Sequence, residues 1–262
     1  MGMEGPRRRL PVTVVIAAHN ESADIEQCVR SASWADEVLV VENDSSDDTV
    51  ERARTAGATV FSHPFTTIGS QRNAAIARAR NEWVLVLDAD ERASAELALE
   101  IEQLLNRREL SDAYRIPRRN FVFGREVHYG GWGRDRPVRF FRRHLRYDER
   151  LVHERVVTAG QVGELRAAIW HRPYSGMDEY LEKLVRYSYD WARQRRAAGS
   201  GCALWEVALR PPAAFLSAYV LRSGWRDGSL GFVLALLGAV SVATKYTALW
   251  TLSRSEASGE SS

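Results

Sequence analysis

Cysteine is nearly absent: the 262 residues hold only Cys28 and Cys202, far apart and in no metal-ligand spacing. That excludes a disulfide scaffold and a zinc cluster, and it favours a reducing compartment. Cys28 sits among helix-patterned residues and reads as a small core filler. Neither a phosphate-binding loop of the Gly-x-x-x-x-Gly-Lys type nor a Gly-x-Gly-x-x-Gly turn occurs, which removes most ATPase and dinucleotide readings. With a formal net charge of only +2, the chain offers no general attraction to nucleic acid, and no nucleic-acid partner is expected. Arg7, Arg8 and Arg9 lead directly into a short β-branched run rather than a signal peptide. A cytoplasmic protein is therefore expected, with residues 1–10 as a basic tail. The Arg-rich stretch from Arg134 to Arg146 reads as a solvated face or as a contact for an anion or a membrane.

What the sequence does have is alternation. Apolar runs at Val12–Ala18, Glu37–Val41, Ala58–Phe61 and Trp83–Leu87 predict four strands. Between them, helices are predicted from Ser22 as a cap, over Thr49–Ala56 with Gly57 as the stop, and over Gln71–Ala79. A further helix is predicted over Ser94–Leu105. Strands alternating with helices of this length give an α/β fold with a mostly parallel sheet and helices on both faces. Ligands of such sheets bind beyond the carboxyl ends of the strands. Three polar clusters fall there: His19-Asn20-Glu21, Glu42 to Asp48, and Asp88-Ala89-Asp90.

Asp88 and Asp90 are the sharpest of these. Side chains two apart on an extended chain face the same way, so both carboxylates can enter one crevice. Their mutual repulsion calls for a cation between them, and a hard divalent ion, Mg²⁺ or Mn²⁺, also held by a diphosphate, suits the site. The plain alternative is a solvated acidic turn at a helix start. Glu42 reads as an acceptor for a nucleotide's base or ribose. Asp47 reads equally as such a ligand or as a helix cap. Arg72 suits a diphosphate, because guanidinium matches phosphate oxygens; Asn73 beside it touches the donor or fixes its own loop.

Residues 11–21 (PVTVVIAAHNE), 40–49 (VVENDSSDDT), 71–73 (QRN) and 87–92 (LDADER) resemble family 2 glycosyltransferases. Residues 130–132 (GGW), 139–141 (RFF), 152–154 (VHE), His171 and the stripe Tyr180, Leu184, Tyr187 resemble the lipopolysaccharide-core β-1,4-glucosyltransferase group within it. The likeness runs from about Pro11 to Trp191; the family usually carries Asp where this chain has Glu42.

The resemblance implies a GT-A (Rossmann-like) fold, a nucleotide-diphosphate sugar donor, a divalent metal and inversion at the anomeric carbon. It implies donor contacts at Ala17, His19, Asn20, Glu21, Glu42, Asp47, Gln71, Arg72, Asn73, Asp88 and Ala89. It also implies metal contacts at Asp88, Asp90 and His171, although His171 reads as well as a satisfied histidine at a strand end. Glu154 is the expected base, with Asp135 as its rival, and His153 reads as structural or acceptor-binding. The expected function is transfer of a hexose, from a UDP-sugar first of all, to a glycan or lipid-linked acceptor of the cell envelope. The alternative is an inactive nucleotide-sugar binding or scaffold subunit.

The expected organisation is a catalytic domain over residues 11–198, with 11–110 as the nucleotide-sugar half and 111–198 as the acceptor half. A helical region over 199–253 and a disordered tail over 254–262 follow. Residues Gly228–Thr244 carry no charge and are flanked by Trp225 and Lys245-Tyr246. At the bottom of the length range for a span, and diluted by Gly, Ala and Ser, they read as an interfacial or re-entrant segment, and the resemblance implies the inner face of the membrane as the surface. A helix packed in the protein or in a homo-oligomer, and a full crossing, are the other readings.

Overall fold

A computed structural model describes residues 9–133, 135–148, 150, 154–174 and 176–255; His153 and most of the two terminal tails lie outside them. The chain divides into two compact units, one of Met1–Arg119 and Asp135–His171, the other of Asn120–Arg134 and Arg172–Ser262.

The first unit begins with β1 (Leu10–Ala18), α1 (Ile25–Ser31), β2 (Ala35–Glu42), α2 (Thr49–Thr55), β3 (Thr59–Ser62), α3 (Ile68–Arg78) and β4 (Trp83–Asp88). After β5 (Glu91–Ala93), α4 (Ala95–Leu105) and β6 (Ala113–Arg115), the chain runs through β7 (Arg118–Val122) into the hairpin strand β8 (Arg125–Val127). It returns as β9 (Val138–Arg142), β10 (Arg146–Tyr147), β11 (Val156–Val157), β12 (Val162–Glu164) and β13 (Ile169–His171).

Seven strands form the main sheet in the order β12-β6-β9-β4-β1-β2-β3. The four from β4 to β3 are parallel, while β9 runs antiparallel between β4 and β6. Alternation in β1 serves two cores. Val12, Val14, Ile16 and Ala18 pack with residues of α1 and α4, including Ile25, Cys28, Leu97 and Ile101. Val15 joins Leu39, Val41, Val84 and Val86 against Ala75 and Ile76 of α3. Both faces of the sheet are thus covered, which is why its strands read as unbroken apolar runs. Cys28 is buried in the first core, the filler role expected of it.

The helix boundaries follow local chemistry. Thr67 accepts the amide of Ser70 at 3.0 Å and starts α3 three residues before the expected Gln71. Ser94 caps α4 in the same way, at 3.1 Å from the Leu97 amide. Gly57, at φ +102°, ends α2 in the left-handed conformation glycine tolerates. The first helix starts at Ile25, not after Ser22: the Glu21 carbonyl accepts the amides of Asp24 at 3.0 Å and Ile25 at 2.9 Å in a preceding turn, and the Ser22 amide donates to Asp47 at 3.1 Å.

The second unit holds the β7–β8 hairpin and three helices: α5 (Met177–Ala197), α6 (Leu204–Leu216) and the 28-residue α7 (Gly228–Ser255). Its buried stripe on α5 is Tyr180, Leu184, Ser188 and Ala192. Tyr187, expected on that stripe, is exposed; the contact follows the i, i+4 row of the helix. Pro211 and Pro212 lie inside α6, which continues into a π-helical turn, Ser217–Leu221, and a 3₁₀ turn, Gly224–Asp227. The apolar helical appendage expected at the C-terminus is present.

Candidate active site

Strand register puts the polar clusters side by side. Ala18 of β1 pairs with Glu42 of β2, and Ala17 pairs with Asp88 of β4. The carboxyl ends of three adjacent strands therefore share one rim.

Between β1 and β2 the loops are laced together. His19 Nδ1 lies 2.6 Å from the Asn43 carbonyl, and Asn20 Oδ1 accepts the Ser46 amide at 2.8 Å. The Glu21 amide donates to Thr49 Oγ1 at 2.7 Å, and Glu42 Oε2 accepts the Ser45 amide at 3.0 Å. Asn20 and Asp44 adopt φ of +54° and +48°, the left-handed region that Asn and Asp enter at least cost. Asp47 accepts the amides of Ser22 and Thr49 as well as the Thr49 hydroxyl. Desolvation opposes its ionisation, but these donors outweigh that and hold its carboxyl down at about 2. Both oxygens of Asp47 are thus engaged within the rim, while the N-cap position of α2 itself falls on Asp48, which makes no side-chain cap bond.

At the end of β4 an alternating chain of charges begins. Arg72 of α3, almost wholly buried, bonds Asp88 with one terminal nitrogen and Glu154 with the other. Arg139 of β9 bonds the second Asp88 oxygen at 2.5 Å and Glu91 at 3.4 Å. Arg118 then joins Glu91 at 3.1 Å to Asp135. In order the chain reads Glu154, Arg72, Asp88, Arg139, Glu91, Arg118, Asp135. Desolvation would raise the Asp88 pKa, yet Arg139 and Arg72 overcome it and hold the carboxyl far below its usual range. Glu91, fully buried, is shifted upward by that burial despite its arginine partners.

Glu154 reaches Arg72 because α3 is thin there. A Cβ on Gly69 would stand 2.7 Å from the Asp148 carbonyl and 3.6 Å from Glu154 Cβ, so a larger residue would force that segment away. Flanking residues of α3 serve the backbone. Gln71 donates to the His63 carbonyl at 2.7 Å, and Asn73 exchanges two 2.9 Å bonds with Tyr147. Ala89 is buried, and its carbonyl accepts from Arg92 at 2.9 Å.

Asp90 stands apart from the charge chain: its Oδ2 lies 3.3 Å from His171 Nε2, brought near by the antiparallel pairing of β13 with β5. A carboxylate and an imidazole at this separation suit one divalent ion. Among the described residues no group of three His, Cys, Asp or Glu is arranged to hold a metal unaided. The remaining oxygen ligands of such an ion would come from water or from a bound diphosphate.

Sequence reasoning gave no site role to Glu91, Arg118 or Arg139. Arg139 carried the one usable signal, an arginine set between Val138 and Phe140-Phe141, where burial demands an anionic partner.

A mostly parallel α/β sheet with an acidic rim is one setting for transfer chemistry on a nucleotide-linked substrate. The sequence profile of Glycosyl transferase family 2 matches residues 13–167, more than half of the chain, and the chain belongs to that family of enzymes. Its relatives include the lipopolysaccharide core biosynthesis glycosyltransferase LpsC of Rhizobium meliloti (strain 1021). The two are 29% identical over 240 residues, covering 88% of this chain and 89% of LpsC. The uncharacterized glycosyltransferase RP128 of Rickettsia prowazekii (strain Madrid E) is 27% identical over 241 residues, covering 87% of this chain and 82% of its own. Among solved structures, glucosyl-3-phosphoglycerate synthase from Mycobacterium tuberculosis, in complex with Mn²⁺, UDP and phosphoglyceric acid, is 26% identical. That match covers 45% of this chain and 44% of the synthase, with a TM-score of 0.33.

Two outcomes are expected from the charge network. Arg139→Met leaves Asp88 and Glu91 short of their shared cation and should cost about 3–5 kcal/mol of stability in urea denaturation. Asp47, whose folded pKa lies below its ordinary 3.8, stabilises the fold above that value and ceases to as pH falls through about 2. Asp47→Ala should therefore lower Tm by about 2–4 °C at neutral pH, with the gap from wild type closing in acid.

Proposed function

We propose that the chain is an inverting hexosyltransferase. It takes its sugar from a nucleotide-diphosphate donor, UDP-sugar first, and passes it to a glycan or lipid-linked acceptor in lipopolysaccharide-core or related envelope synthesis. The supporting observation is one buried guanidinium, Arg72, shared by Asp88 at the strand end and by Glu154. It ties the first acid of the Asp-x-Asp pair to a candidate base. The LpsC relationship supports the choice of pathway class.

In this reading residues 11–110 bind the donor and 111–198 the acceptor. The rim from Ala17 to Glu21, with Glu42 and Asp47, faces the nucleotide, and Glu42 replaces the family's usual Asp one methylene further out. Gln71 and Asn73 hold the backbone on either side of Arg72, which faces the diphosphate together with Asp88 and Ala89. Asp90 and His171 would hold Mg²⁺ or Mn²⁺, to which Asp88 could add lone pairs beyond those its arginines use. When bound, the ion offsets the negative charge gathering on the departing diphosphate.

Glu154 accepts the proton of the acceptor hydroxyl as that oxygen attacks the anomeric carbon from the face opposite the leaving group. Its 14% side-chain exposure shields it from bulk water. Asp135 is the second candidate because its carboxylate is more open, at 40%. The enzyme works in the cytoplasm, on the inner face of the membrane.

A thermal-shift panel with UDP, GDP and dTDP tests the donor site. At a hundred times Kd the correct nucleotide adds about 2.7 kcal/mol, a rise of several degrees that requires Mn²⁺ and disappears with chelator. No rise with any nucleotide would leave the binding reading without support. Glu154→Gln should keep that shift and lose about 10²-fold or more in turnover. Full turnover in Glu154→Gln, with loss in Asp135→Asn, would move the base to Asp135.

A further inference from the structure

The second unit carries a surface that its own fold leaves uncovered. No residue of α6 or of the following π turn is buried. Trp205, Leu209, Leu216 and Val220 recur at helical spacing and are all exposed. Leu221 and Trp225 continue the patch at 79% and 56% exposure. On α7 the inner residues Leu230, Leu234 and Ala235 are buried, while Phe232, Leu236 and Val240 face outward one turn apart. Monomeric soluble proteins rarely leave so long an apolar strip open.

Charge distinguishes the possible coverings. Arg222 and Arg226 border the strip, and neither has a carboxylate partner among the described residues. The two acids nearby are already engaged. Glu206 pairs with Arg210 at 2.7 Å, and Asp227 accepts the Tyr129 amide at 2.9 Å and the His128 amide at 3.2 Å. Apolar side chains, two tryptophans and arginines without a carboxylate partner among the described residues together match an anionic phospholipid surface. A second copy of the same strip would bring these arginines against like charges.

Helix α7 is long and apolar enough to cross a bilayer by composition alone. Its far half is nevertheless tied to a polar helix: Trp191 of α5 meets Tyr246 at 5.2 Å, and Ala192 packs on Ala248 and Leu249. A crossing would carry Asp190, Arg193 and Arg195 of α5 toward hydrocarbon at several kcal/mol. Lying in the interface avoids that cost.

The same segment anchors the Gly-Gly-Trp loop. The Gly130 amide donates to the Arg222 carbonyl at 3.0 Å, the Arg226 guanidinium lies 4.4 Å from the Tyr129 ring centre, and Asp227 holds the two preceding amides. We propose that the outer face of residues 204–240 docks in the plane of an anionic phospholipid surface and carries the Tyr129–Trp132 loop to headgroup level. The docking deepens the membrane-face reading given above; the use of the loop for a lipid-linked acceptor rests on that reading.

Flotation of the full chain with phosphatidylcholine vesicles, with and without phosphatidylglycerol, tests it without any sugar transfer. Wild type should float with the anionic vesicles and lose binding at high salt. Leu221→Asp with Trp225→Ser, and separately Arg222→Glu with Arg226→Glu, should each lower partition by about tenfold or more. Circular dichroism and the nucleotide-dependent thermal shift, both unchanged, would show that the variants fold. Equal flotation of wild type and variants overturns the proposal. So does absence of flotation together with a dimer in light scattering that Leu221→Asp dissolves, which would make a second copy the cover. A failed nucleotide shift in wild type that still floats would sink the donor reading and leave the docking face standing.

Discussion

Burying an arginine is tolerable only if its charge is met, and this fold buries Arg72 and Arg139 beside one carboxylate, Asp88. That constraint joins elements far apart in sequence. Helix α3 must present Arg72 to the end of β4, and β9 must pair with β4 so that Arg139 arrives on the other side. Glu91 of β5 then takes what remains of Arg139, and Arg118 and Asp135 close the series. Alternation of sign lets each member solvate the next. Interrupting it at Arg72, Arg139 or Glu91 leaves a buried charge without its partner.

Much of this architecture was legible beforehand, because the sheet rests on long apolar runs and its rim on residue types with few other uses. The first four strands, the Gly57 stop and the Ser94 start all follow from local pattern. Asp88-Ala89-Asp90 stood out through its place at the end of an apolar run. The sequence could not disclose that the two aspartates take different partners, Asp88 two arginines and Asp90 His171. Partners from α3, β9 and β13 decide that, and pairing between strands some fifty to eighty residues apart has no local signature. Ser22 lies instead in a turn closed by the Glu21 carbonyl, its amide given to Asp47 across the loop, and α1 starts three residues later.

The two units show different economies of surface. In the first, alternate residues of each central strand fill two separate cores, and little large apolar area is left outside. In the second, α5, α6 and α7 bury one side only. Its helices were legible as apolar stretches, but which side stays open depends on α5, whose charged sequence gave no hint that it lies along the far half of α7. Pro211 and Pro212 fit this picture: prolines remove two amides from α6, and an exposed helix can leave the matching carbonyls to polar surroundings.

The reversed strand β9 also bears on how the chain acquires its shape during synthesis. β4 has β1 on one side, from the start of the chain, and β9 on the other, ending at Arg142. The emerging polypeptide can assemble β1 to β4 early, but the outer side of β4 remains an open edge until the later segment leaves the ribosome. During that interval Asp88 lacks Arg139, and the edge is able to pair with a foreign strand. Pauses in translation after β4 has left the ribosome and before β9 has followed it would therefore lengthen the stage at which that edge is open.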